Sequence, residues 1–227
     1  MTKVYFVSNS ENINQKRVKT ASYIGSAIGI TTAVGGIYKS AQKGNPNLKF
    51  KNLTYAENDI LKIGAGSILG GLTGGLLTDK NKENQKPKIK EAIQQFFGSL
   101  LCPLGVLAGA EKLLEKSKFK LPHIKTSSKL LNNTVTALPK ITVTVGSLIA
   151  GMNIGNKLVN KINNKIFKEN ETHKVHASDY IVHTDDLCVG VNLILKDVKS
   201  ISMITSKILP FAFILSGAKT GSQEKQK

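Results

Sequence analysis

The chain has 227 residues and a formal net charge of +17, with 32 Lys and Arg against 15 Asp and Glu. All but one of the basic residues are Lys, the exception being Arg17, which disfavours sequence-specific DNA reading through bidentate Arg contacts. So large a charge points to an anionic partner, and a lipid surface is the expected one, nucleic acid being the disfavoured alternative. The Lys and Asn excess is also what an AT-rich coding sequence produces. Aromatics are only 6%, Trp is absent and the mean hydropathy is −0.09. The apolar mass is therefore aliphatic and small.

Residues 1–19 are polar, with Lys16, Arg17 and Lys19 just ahead of the first apolar run. That order suits an uncleaved signal anchor better than a processed leader. Four charge-free stretches follow, at residues 20–38, 63–78, 92–110 and 141–156. A membrane-spanning helix needs about 20 mostly apolar residues. The first and third stretches fit, while the second and fourth are short unless flanking Lys side chains snorkel outward. The linkers between them are rich in Lys, Asn and Glu, and Pro46, Pro87 and Pro122 fall within them as breakers.

Glycine is concentrated where charge is absent. Sixteen of the 20 Gly lie in the four charge-free stretches. Inside a soluble helix each Gly costs roughly 1 kcal/mol relative to Ala. In lipid the backbone must satisfy its own hydrogen bonds, and Gly lets two helices approach closely. The small residues recur at steps of three and four, which places them on single helix faces. The first stretch has Ser22, Gly25, Gly29, Ala33 and Gly36. The second has Gly66, Gly70 and Gly74, a doubled G-x-x-x-G, and the third has Gly98, Cys102, Gly105 and Gly109. The fourth has Thr144, Ser147, Gly151 and Gly155. Residues 20–156 are thus expected to form an all-α, glycine-rich membrane bundle of about four spanning or re-entrant helices. Its packing residues would be Gly25, Gly29, Gly66, Gly70, Gly74, Gly105, Gly109, Gly151 and Gly155. Leu at Gly70 is expected to force the helices apart, and a single methyl to be milder.

Residues 157–186 read as a hydrophilic linker. Within it His173, His176, Asp179 and His183 are spaced for one helix face, as a zinc site would need, but in a stretch this polar a solvated loop is the stronger reading. Residues 187–218 read as an amphipathic helix and a short apolar run. Lys196, Lys199 and Lys207 gather on one face, suited to a membrane surface, and Pro210 is expected to interrupt. Residues 219–227 read as a disordered tail.

Catalytic signatures are missing. The two distant thiols, Cys102 and Cys188, make neither a metal motif nor a disulfide framework. The glycines at 64, 66 and 70 are spaced one residue too long for a dinucleotide loop. The charge-free stretches hold none of the ionisable groups that mark ion-coupled transport. No enzyme, no cofactor and no small-molecule substrate is therefore expected. The expectation is a small integral membrane protein in a bacterial inner membrane, both termini cytoplasmic, acting through helix packing as a structural, scaffold or pore-like component. A homo-oligomer or a membrane partner would fit that role. Two alternatives stand beside it: an α-helical protein, soluble or at the membrane surface, that binds anionic lipid or nucleic acid through Lys, and a secreted or phage-type membrane-active protein.

Overall fold

A computed structural model describes residues 9–116, 129–168 and 199–225 of the chain. The His173, His176, Asp179 and His183 group, Cys188 and Lys196 lie outside the described residues, and the side chain of Lys199 is likewise not described. Every regular element among the described residues is helical. The long helices are α1 (Asn9–Gly44), α2 (Glu57–Thr78), α3 (Gln85–Ile93), α4 (Cys102–Lys116), α5 (Lys129–Phe167) and α6 (Lys199–Ser222). A π-helical stretch, Gln94–Leu101, joins α3 to α4, and short 3-10 turns stand at Phe50–Asn52 and Lys82–Asn84.

The helices are longer than the charge-free stretches inside them. Residues 20–38 are the middle of the 36-residue α1, and residues 141–156 the middle of the 39-residue α5. Lys, Glu and Gln on either side are good helix formers, so loss of apolar character does not end a helix. Glycine and proline do so at the end of α1, where Gly44 is the last helical residue and Pro46 follows. The Asp59 carboxylate accepts the Ala56 N–H at the start of α2, whose first turn carries Glu57 and Asp59 against the helix dipole. Pro87 is the third residue of α3, and the helix runs on through it. Pro210 does not interrupt the C-terminal helix, which runs through it. The tail expected to be disordered from residue 219 is helical as far as Ser222. Side-chain and backbone bonds, described below, hold that end in place.

Two helices are long and apolar enough to cross a membrane, Glu57–Thr78 and the continuous Lys82–Ala110. Of the four charge-free stretches, these contain the second and third. The first and fourth lie in α1 and α5, which do not reach that level among the described residues. Their Thr, Ser, Asn and Gly content lowers the gain from leaving water, although no charge interrupts them.

The chain divides into two compact units. One comprises residues 1–46, 62–95 and 210–227, and so contains α1, most of α2, α3 and the C-terminal half of α6. In it α1 lies antiparallel to α2, Gly25 facing Gly70 and Gly29 facing Gly66, while α6 runs parallel to α2. The other comprises residues 47–61 and 96–209, with α4 packed along α5.

Candidate functional site

Helix α1 buries one stripe, Val18, Ser22, Ser26, Ile30, Val34 and Ile37. The steps of four, then three, keep these residues on one face of a 3.6-residue helix. At the middle of the stripe the buried side chains are serines, and the neighbours they meet are mostly glycine. A Cβ built on Gly70 would stand 2.8 Å from the Gly25 carbonyl carbon, and one on Gly25 would stand 2.9 Å from that of Gly70. One turn on, a Cβ on Gly66 would meet the Gly29 carbonyl oxygen at 2.7 Å. Gly74 faces the Ala21 carbonyl carbon at 2.8 Å by the same construction. The α1 and α2 backbones therefore touch at these glycines, within Ala21–Gly29 and Gly66–Gly74.

A second small-residue face on α2 lies one residue further round. Ser67, Gly71 and Gly75 are buried along it, and they meet Gly217 and Gly221 of α6. A Cβ on Gly71 would fall 3.0 Å from the Gly217 Cα, and one on Gly75 would fall 2.7 Å from the Gly221 Cα. The steps of four on both helices keep the pairs aligned. Three helices thus converge on fully buried serines. The Ser67 hydroxyl donates to the Phe213 carbonyl, so it accepts from Ser26, whose Oγ lies 2.7 Å away. Ser26 Oγ is also 3.2 Å from the Ile214 carbonyl, which shares the same proton. Further along α6, Ser216 donates to Gln95 Oε1 at 2.9 Å, and Gln95 Nε2 donates to Glu91 at 2.8 Å. Each of these hydroxyls is satisfied, and that removes the penalty for burying it.

The end of this unit is closed by an ion pair. Lys88 is completely buried, and its Nζ lies 2.8 Å from Asp79 Oδ2 and 2.7 Å from the Gln223 carbonyl. Asp79 also accepts from Asn14 Nδ2 at 3.1 Å, Asn84 Nδ2 at 3.0 Å and the Asn81 amide at 2.9 Å. Burial raises the Asp79 pKa, but the hydrogen bonds from Lys88, Asn81, Asn84 and Asn14 outweigh it and hold the carboxyl below the usual range. The Lys225 amide donates to Asn84 Oδ1 at 3.0 Å, so the end of the chain is tied to the same cluster. This clasp joins α1, the end of α2, the start of α3 and residues 223–225. Asp79 and Lys88 are nine residues apart across a turn, so no helical period marks the pair in the sequence.

In the other unit, Gly155 of α5 approaches Gly98, a Cβ there standing 2.7 Å from the Gly98 carbonyl oxygen, and Gly151 packs on Pro103. Gly105 and Gly109, expected in the same seam, are exposed and have nothing within 4 Å of a Cβ position, and the same holds for Gly36 of α1. The π-helical stretch accounts for the difference at α4. With more than 3.6 residues per turn, it rotates everything after it away from the face carrying Gly98. Leu104 and Leu107 are buried instead. Lys207 is exposed on α6. Among the described residues no group of three or more His, Cys, Asp or Glu is placed to hold a metal. No protein-family model matches the chain, and no curated protein or solved structure matches it significantly.

Proposed function

We propose that the chain is an integral membrane protein of about four spanning or re-entrant helices, acting through helix packing as a structural, scaffold or pore-like component. One observation carries this reading: in the unit of α1, α2 and α6 the helices meet through glycine and serine, while many large aliphatic and aromatic side chains lie on the outside. Ile24 and Ile28 on α1, Leu69 and Leu77 on α2, and Phe211 and Leu215 on α6 are all exposed, Leu77 to 83%. Ile24, Leu69, Leu77 and Leu215 each follow a buried residue by two positions, about 200° round the helix. Single exposed apolar residues are ordinary on a soluble protein. Those on α1 and α2 stand in stretches with no charge at all, from residue 20 to 38 and from 63 to 78, while Phe211 and Leu215 lie between Lys207 and Lys219 on α6. A contiguous apolar surface of that kind suits lipid.

Length supports the same reading. From Lys19 to Lys39 the uncharged part of α1 rises about 30 Å at 1.5 Å per residue, the thickness of a bilayer's hydrocarbon core. Buried hydroxyls bonded to the carbonyls of neighbouring helices are a usual means of association where hydrophobic drive is missing. The Gln15 side chain donates to Glu224 at 2.8 Å, which supports placing both termini on one side, as cytoplasmic termini in a bacterial inner membrane would require. The alternative, a soluble or peripheral protein acting through Lys, is favoured by the modest apolarity of α1 and α5. Extraction of membranes with alkaline carbonate separates the two. The protein is expected in the resistant pellet, and recovery as a detergent-free soluble monomer would overturn the proposal.

A further inference from the structure

The clasp end of the first unit gathers more than the ion pair. Lys16, Arg17 and Lys19 on α1, Lys80 after α2 and Lys82 ahead of α3 are all exposed there. They are held near one another because Asn14 bonds to Asp79 and Gln15 to Glu224, while Lys88 fixes α3 against the end of α2. Each carboxylate described at this end is already engaged. Asp79 takes Lys88, Glu83 pairs with Lys225 at 3.2 Å, Glu91 pairs with Lys219 at 3.0 Å, and Glu224 accepts from Gln15. The exposed cations form a collar whose charge is answered by no described carboxylate directed at it.

Directly along the helix axes from this collar stand the apolar faces. Leu77, three residues before Lys80, is almost fully exposed, and Ile24 lies little more than a turn beyond Lys19. Cations next to an exposed aliphatic wall match a phospholipid, with phosphate at the collar and acyl chain on the wall. A nucleic acid would use the cations and leave the aliphatic wall in water. We propose that this end of the unit binds anionic phospholipid headgroups, with phosphate held by Lys16, Arg17, Lys80 and Lys82. The site rests on the membrane reading above and deepens it by naming the lipid class and the leaflet. The clasp end faces the more anionic leaflet.

The test uses the full-length protein in vesicles of equal phosphatidylglycerol and phosphatidylcholine. After extraction in mild detergent, the phospholipid retained on the protein is counted by mass spectrometry. Wild type is expected to be enriched in phosphatidylglycerol. Lys80→Gln with Lys82→Gln is expected to lower that enrichment by about fivefold for each charge removed. Lys39→Gln with Lys43→Gln, which removes the same charge from the far end of α1, is expected to leave it in place. Circular dichroism checks that both variants keep wild-type helicity. Equal retention of the two lipids by wild type overturns the site, as does an equal loss in both variants or co-purification of nucleic acid in place of lipid. Carbonate washing of the same vesicles separates the two levels. A protein that washes out takes the membrane reading with it, whereas one that stays in the pellet without lipid preference removes the headgroup site alone.

Discussion

A methyl group at Gly70 would point at the backbone of Gly25, not at a side chain that can turn aside. Even Gly70→Ala must therefore shift a helix, so it is expected to be milder than Gly70→Leu but not silent. Overpacking of this kind typically costs about 1–3 kcal/mol. Gly70→Ala is expected to lower the midpoint of thermal aggregation in detergent, Gly70→Leu to lower it further, and Leu69→Phe, on the exposed side, to leave it near wild type. A stable Gly70→Leu protein would show that the two backbones do not touch. The ion pair gives an asymmetric result. Asp79 without Lys88 keeps donors from Asn14, Asn81 and Asn84, whereas Lys88 without Asp79 keeps only the Gln223 carbonyl. Breaking a buried pair costs about 3–5 kcal/mol. Asp79→Ala is accordingly expected to destabilise more than Lys88→Met in denaturation midpoints, and the reverse order would mean that Lys88 reaches water. The depressed Asp79 pKa also fixes a sign. Its contribution is complete above the unfolded carboxylate value, about 3.9, and is lost as pH falls through the folded one. Wild type is expected to lose stability in that acid window by a step that Asp79→Asn lacks, measured as thermal midpoint against pH.

Among elements, α2 carries two glycine faces one residue apart, and only one of them stands out in the sequence. Gly66, Gly70 and Gly74 are visible as a doubled G-x-x-x-G within a charge-free stretch. The second face begins with Ser67, and its partner glycines, Gly217 and Gly221, flank Lys219 in a stretch too polar to suggest a packed helix. The charge of Lys219 is accommodated by Glu91, 3.0 Å away, an arrangement that only the folded chain reveals. The π-helical stretch was equally hidden, because spacing rules assume 3.6 residues per turn throughout. Gly221→Leu is expected to undock the end of α6, since a Cβ there already stands 2.7 Å from the Gly71 carbonyl carbon. Limited proteolysis checks this, with faster cleavage within residues 210–225 than in wild type. An unchanged cleavage rate would show that α6 is not held by its glycines.

For the whole molecule, the helical class was legible because charge-free and Lys-rich stretches alternate at helical lengths. The helix boundaries were less so, since α1 and α5 continue into polar flanks that carry no breaker. The closing clasp could not be read at all, because it joins Asn14, the Asp79–Lys88 turn and Gln223 from three distant places in the chain. The unit built on α1 and α2 thus takes its last helix from the end of the chain, and residues 96–209 belong to the other unit. That ordering has a consequence for biosynthesis. At 5–20 residues per second, roughly seven to thirty seconds separate the emergence of Gly71 from that of Gly217. During that interval half the glycine surface of α2 is bare. A chain truncated before residue 217 would lack the glycines that cover Gly71 and Gly75, and that face of α2 would stay open.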